Sequence, residues 1–249
     1  MARIRHLQHA PITEALIDIH VEPRPGLTFD ELKESITKSD FGYYEKGSIA
    51  QGRFEFKLTS DGETPASASH SAQIGLRMHS EDDKYVAQCR LSGFTLSRVH
   101  PYGKWEELVE ESKRLWAIYS ERLFPSRVIR LATRFINNLQ LPMHPGDSYQ
   151  TYLNKLVDVP DGAPQAVASF FQRFELVDLE RDSRVNLTIA LQEVASGPRI
   201  PVILDVDAFK FVNLASTEDE IWLIIEHLRK LKNETFFGSI TEKTAELYE

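Results

Sequence analysis

Apolar residues recur along this chain with two periods, and the switches between them outline the fold. Alternation with period two predicts a strand over 17–21, with Ile17, Ile19 and Val21 on one side and Asp18 and His20 on the other. The same signature recurs over 49–58, 72–78, 85–99, 128–141, 185–194 and 201–211. Helical spacing takes over where Thr28 and Glu31 form a capping box ahead of Phe29, Leu32 and Ile36. A long amphipathic helix is predicted over 104–124, with Trp105, Leu108, Leu115, Trp116, Tyr119 and Leu123 inward and Glu106, Glu107, Glu110 and Glu111 outward. Shorter helices are predicted over 148–157 and 164–174. A final helix, capped by Thr217 and Glu220, buries Ile221, Ile224, Ile225, Leu228 and Leu231, and Phe236, Phe237 and Ile240 fold back after it as an apolar clasp. Pro125 closes the long helix, a Ser, Ala, Gly and Pro stretch over 60–71 reads as a mobile surface loop, and Gly197-Pro198 reads as a turn.

This order places the chain in the α+β class. Strand, short helix, several antiparallel strands and long helix occur in 1–126 and again in 127–249, so a duplicated unit is expected, with one curved sheet carrying both long helices on a single face. The short Pro- and Gly-bearing link over 140–149 implies two halves packed as one unit.

The strand over 128–141 is otherwise apolar but carries Arg130, Arg134, Asn137 and Asn138. A buried guanidinium or amide must find a partner, because an unpaired one costs roughly 1 to 3 kcal/mol and a charge more. Asp205 and Asp207, two apart on a strand, face the same way, and their carboxylates suit bidentate pairing with arginine or a share in one metal. With no third acid or histidine spaced to complete a ligand set, a structural ion pair is the simpler reading, and no metal or cofactor is expected. Arg134 is expected to meet Asp205, Asp207 or Glu14, while Asp18 belongs to a different element. Trp105 and Trp116 are core residues or walls of a ligand pocket.

Composition narrows the classes. The 249 residues carry a formal charge of -8, which argues against general binding to a phosphate backbone. A single cysteine, Cys89, rules out an intrachain disulfide and reads as a small apolar core residue. No apolar run reaches membrane length and no leader pattern is read, so a cytoplasmic location is expected. Phosphate-binding glycine loops, nucleophile elbows and paired-cysteine motifs are all missing, and the histidines form no pair with metal-ligand spacing, so the chain leans away from the readable enzyme classes.

Three segments, Ala10-Pro11-Ile12-Thr13-Glu14-Ala15-Leu16, Arg134-Phe135-Ile136-Asn137 and the stretch from Phe236 through Ile240-Thr241, resemble a sporadically distributed bacterial family of conserved uncharacterised proteins of about this length. The resemblance implies no activity. Its patchy distribution implies a defence or toxin-neutralising locus. Three functional readings follow. The first is a non-enzymatic module that binds a protein partner or forms a subunit of a complex or homo-oligomer through an open sheet face or edge strand. The second is a small-molecule sensor with its ligand between sheet and helices, touching Trp105, Trp116 and Arg134. The third is a metal-dependent enzyme using Asp205 and Asp207.

Overall fold

A computed structural model describes the chain except residues 38–40, 57–66, 100, 144–146, 157–158, 161, 165–166, 193–198 and 218, and it describes only the backbone of 52–56 and 67–71. The elements are β1 (Ile12–Glu22), α1 (Phe29–Thr37), β2 (Tyr44–Phe56), β3 (Ser67–His79), β4 (Tyr85–Arg90), β5 (Gly93–Val99), α2 (Trp105–Leu123), β6 (Arg127–Leu141), β7 (Phe171–Asp178), β8 (Ser183–Leu191), β9 (Ile200–Leu214), α3 (Glu220–Ser239) and α4 (Glu242–Glu246). The described strands form one nine-stranded antiparallel sheet in the order β2-β3-β4-β5-β1-β6-β9-β8-β7. Each half pairs its first strand with its last, β1 with β5 and β6 with β9, and β1 and β6 join the halves at the centre.

Strand parity sorts side chains between the two faces. Ile17, Ile19, Leu131, Thr133, Phe135, Leu204 and Val206 are buried on one face, as the register Ile17↔Thr133, Ile19↔Leu131 and Phe135↔Val206 requires. Helix α2 lays Trp116 and Tyr119 against Phe94, which pairs with Ile19. Helix α3 sets Lys232 on Phe135, so the side chains these two helices touch lie on the same face. Between the helices, the Trp105 indole N–H donates to Glu226. Asp18, Arg130, Arg134, Asp205 and Asp207 occupy the alternate positions and point to the opposite face.

Several expectations change. The stretch read as one strand over 85–99 is the β4–β5 hairpin, turned at Leu91 and Ser92. Gly93 is needed there because a Cβ would stand 2.4 Å from the Ile19 carbonyl oxygen. Among the described residues of 164–174 there is no helix: from Phe171 they form β7, paired along β8. Among the described residues of 148–157, only Tyr149–Thr151 make a short 3-10 turn. β1 starts five residues earlier than read, at Ile12, directly after Pro11. Thr28 does cap α1, accepting from the Glu31 N–H at 3.3 Å, whereas α3 begins after Asp219 with no side-chain cap, and Thr217 plays no such part. Phe236 and Phe237 lie inside α3. Most of the loop read over 60–71 and the Gly197-Pro198 turn fall outside the described residues, but 67–71 belong to β3.

Candidate functional site

The opposite face carries a row of alternating charges that spans the centre of the sheet. Asp18 on β1 accepts from the Arg90 guanidinium at 2.7 Å, from the Thr95 hydroxyl at 2.6 Å and from Arg130 at 3.0 Å, with His20 Nε2 at 2.8 Å. Arg130 reaches across to Asp207 at 3.1 Å, and the Asn186 amide donates to the same carboxylate at 3.2 Å. The Arg130 guanidinium lies over the Phe209 ring at 4.5 Å. Arg134 donates twice to Asp205, through Nε at 2.9 Å and Nη2 at 2.6 Å. Burial raises the Asp18 carboxyl, but His20, Arg90 and Thr95 outweigh it and hold the group well below the usual carboxylate range. At Asp207 burial wins over Arg130, Asn186 and Arg134, and its pKa rises.

Three guanidiniums here meet three carboxylates in direct hydrogen bonds, and Glu14 adds a further acid whose field reaches Arg134. Asp205 is the internal acid of Arg134, one of the partners named from sequence. Asp18, assigned above to a different element, in fact shares Arg130 with Asp207, because β1 lies directly beside β6. Arg130 stands between those two carboxylates and Arg134 holds both oxygens of Asp205. The acids offered to a metal are therefore already taken, and among the described residues no three His, Cys, Asp or Glu side chains converge on one point. Asn138 shares this face and accepts from the Gln140 amide at 2.8 Å.

Asn137 points to the other side. It is buried, and its amide donates to the Leu204 carbonyl at 2.9 Å and the Phe135 carbonyl at 3.3 Å. Beside it, between the sheet, the start of α2, α3 and the N-terminal segment, lies a cavity of about 740 Å³. Aromatic walls come from Tyr102, Trp105, Phe135, Phe236 and Phe237. The N-terminal wall is pinned by backbone bonds: Ala2 N–H donates to the Phe237 and Ile240 carbonyls, and His9 N–H to the Tyr248 carbonyl. Arg5 ties the same segment to Glu242 and Glu249 at 2.9 and 2.6 Å.

Lys232 lines this cavity and is only 7% exposed. No hydrogen-bond acceptor reaches its Nζ among the described residues; the group sits 3.5 Å from the centre of the Phe135 ring. By contrast Lys33, Lys46 and Lys84, half in solvent, hold carboxylates at 2.8 to 3.0 Å. Burial, reinforced by the Arg229 guanidinium one turn earlier, brings the Lys232 ammonium down to about 7. The ring face favours the charged form by about 1 to 2 kcal/mol, less than the cost of burying the charge, so the direction stays downward.

The residues singled out from sequence thus separate. Trp105 and Asn137 reach the cavity, and Arg130, Arg134, Asp205 and Asp207 lie on the opposite face. Trp116 is not on this cavity's wall: its ring stacks on Tyr119 at 5.4 Å and its N–H donates to the Ser216 carbonyl at 3.0 Å. Cys89 is fully buried, and burial pushes its thiol up, away from nucleophilic use. Lys232 is the residue the sequence reading passed over. The signal was present, because the stripe Ile221, Ile225, Leu228 continues at helical spacing onto Lys232 and Phe236, which puts a charge where an apolar residue belongs.

The chain matches no known family model and no curated protein.

Proposed function

We propose that the protein binds a small organic molecule in the cavity between the sheet, α2, α3 and the N-terminal segment, with an apolar body against the aromatic walls and one polar group at Lys232. The observation that carries this reading is the buried lysine without an acceptor, since natural interiors pair such a group or use it. Pockets of this size, with apolar walls and few convergent polar groups, are the usual form of small-molecule sites. Of the three readings set out from sequence, the second therefore moves ahead of the first, with Lys232 taking the place given to Arg134 and Trp116. The expected result is that phenylacetate or benzaldehyde raises the melting temperature of the full chain, by an amount equivalent to about 2.7 kcal/mol at a hundredfold excess over Kd. Toluene should do less, and Lys232→Met should abolish the preference for a polar head. A melting curve indifferent to all three probes, or a response unchanged in Lys232→Met, would overturn the reading.

A second reading, assembly through an edge strand, rests on β7. It is the last strand of the sheet and exposes Phe171 (70%), Val177 (55%) and Leu176 (43%), with Leu179 just beyond it and Phe211 nearby on β9. An antiparallel pair of two copies centred on Phe174 sets Arg173 of each opposite Glu175 of the other, which makes a second copy the partner this edge fits. Sedimentation should show dimers that Phe174→Lys converts to monomers, and a wild-type monomer at every concentration would end the idea.

The finer reading of the fold, one strand-helix-strands-helix unit used twice, with halves 1–126 and 127–249 packed as one, is also part of this proposal. What supports it is the matched order on either side of the β1–β6 pair, β5-β4-β3 against β9-β8-β7; the first half adds β2 beyond β3, and the second has the 3-10 turn at Tyr149–Thr151 where the first has α1.

A further inference from the structure

We infer that the cavity takes carbonyl compounds, aldehydes or ketones with an apolar or aromatic body, and that Lys232 captures them as an imine. The inference rests on the cavity reading above and names the chemistry of its polar contact. An ammonium kept for a carboxylate ligand would be charged before the ligand arrives, and no carboxylate among the described residues reaches Lys232 to pair it. A neutral amine needs no counter-ion and carries a free lone pair, and burial beside Arg229 favours it over the pull of the Phe135 ring on the charged form. Lysines become nucleophiles in such surroundings, desolvated and beside a second cation; here Arg229 is that cation, itself spread over the Trp105 ring at 5.2 Å and drawn to Glu226 and Glu106 at 3.6 and 3.7 Å. Of the other titratable groups on the cavity wall, the one carboxylate, Glu106, is drawn to Arg229 at 3.7 Å, Arg5 is engaged with Glu242 and Glu249, and His6, His9, Tyr102 and Lys104 bring no acid to Lys232.

The step balances without any further reagent. The Nζ lone pair adds to the carbonyl carbon, forming a C–N bond, while the carbonyl electron pair moves to oxygen. A proton passes from nitrogen to that oxygen, giving a carbinolamine. Loss of water breaks the C–O bond and leaves C=N, and hydrolysis reverses the sequence. No electrons are exchanged, so capture is reversible.

Reductive trapping tests it on the full chain. Benzaldehyde with sodium cyanoborohydride should leave one secondary amine per chain at pH 7, located by peptide mapping on Lys232. Mapping also separates this product from any labelling of the α-amino group. Labelling of Lys232 should run roughly tenfold or more faster than that of Lys33 or Lys46, rise to half its maximum near pH 7, and slow when phenylacetate competes. The pH profile on the wild type is independent of whether any variant folds. If labelling falls evenly over the lysines, or Lys232 reacts no faster than the surface ones, the imine is overturned. When phenylacetate and benzaldehyde stabilise the protein yet Lys232 is not trapped, the cavity reading stands and the imine alone falls. With neither stabilisation nor trapping, both fall.

Discussion

Replacing Arg130 by Met is expected to lower the unfolding free energy by roughly 3 to 5 kcal/mol, the cost of leaving a buried charge pair without one partner. Arg130 is the single bridge between Asp18 and Asp207, both largely buried, and no other guanidinium in the row reaches the two acids together. Asp18 would keep Arg90, Thr95 and His20, whereas Asp207 would keep Asn186 as its direct partner. The deficit should therefore depend on pH. Asp207 already has a raised folded pKa, so its ionised form destabilises the fold above that pKa, and losing Arg130 raises it further. Protonation relieves this burden as pH falls, and the gap between variant and wild type should narrow from neutral pH toward pH 4. Asp18 runs the other way in the wild type: its lowered pKa stabilises the fold above the unfolded value, and that part is lost as pH falls through the folded one. Urea midpoints at pH 7 and pH 4.5 measure the Asp207 effect, the Asp18 loss sets in only below about pH 4, and a second change, Asp207→Asn, should recover part of the deficit. Arg134 makes the instructive contrast. Its side chain is 43% exposed and serves Asp205 alone, so its removal should cost about 1 kcal/mol, well below the figure for a fully buried pair. Equal losses for the two arginines would mean that the row does not act through burial.

Lys232→Met, in the opposite sense, is expected to make the protein more stable. Met fills much the same volume and has no charge to desolvate. In the wild type the unfolded lysine keeps its ordinary pKa of 10.5 while the folded one sits at about 7, so between these values the unfolded chain binds the extra proton and stability climbs with pH. Below pH 7 the burden of burial is complete and constant; above about 10.5 it is gone. The Met variant should accordingly gain on the order of 3 kcal/mol at pH 6, after allowing for the lost contact with Phe135, and the gain should shrink steadily toward pH 10. Chemical denaturation across that range is the measurement. A Met variant that is less stable at pH 6, or a gain that ignores pH, would show that Lys232 rests charged and satisfied. A stabilising substitution at a buried position is also the mark of a residue held against stability for another purpose.

The two predictions differ in how far they could be read in advance. A guanidinium on an apolar strand demands a carboxylate, and Asp205 and Asp207 share a period-two pattern of their own, so Arg134 and its partner were legible. Asp18 was not, because the adjacency of β1 and β6 is a fact of topology that no local period carries. Strand β7 was misread for a definable reason: Val167, Phe170, Phe171 and Phe174 are spaced as on a helix, and only the unpaired outer edge of β8 makes an extended partner the better solution. Lys232 left a trace as a charge inside an apolar stripe. What gave that charge meaning, the Phe135 ring and the N-terminal wall, comes from segments about a hundred and more than two hundred residues away in the chain.

The pinning of the N-terminal wall has a kinetic consequence. Residues 2 to 9 are synthesised long before the carbonyls of Phe237, Ile240 and Tyr248 that they bond. The sheet can assemble strand by strand from the β1–β6 centre, but the cavity has no fourth side until the last helices dock. Contacts of such long sequence separation are slow to form, so the pocket should be the last part of the molecule to mature, and the Lys232 amine stays open to solvent until the N-terminal segment docks on the last helices.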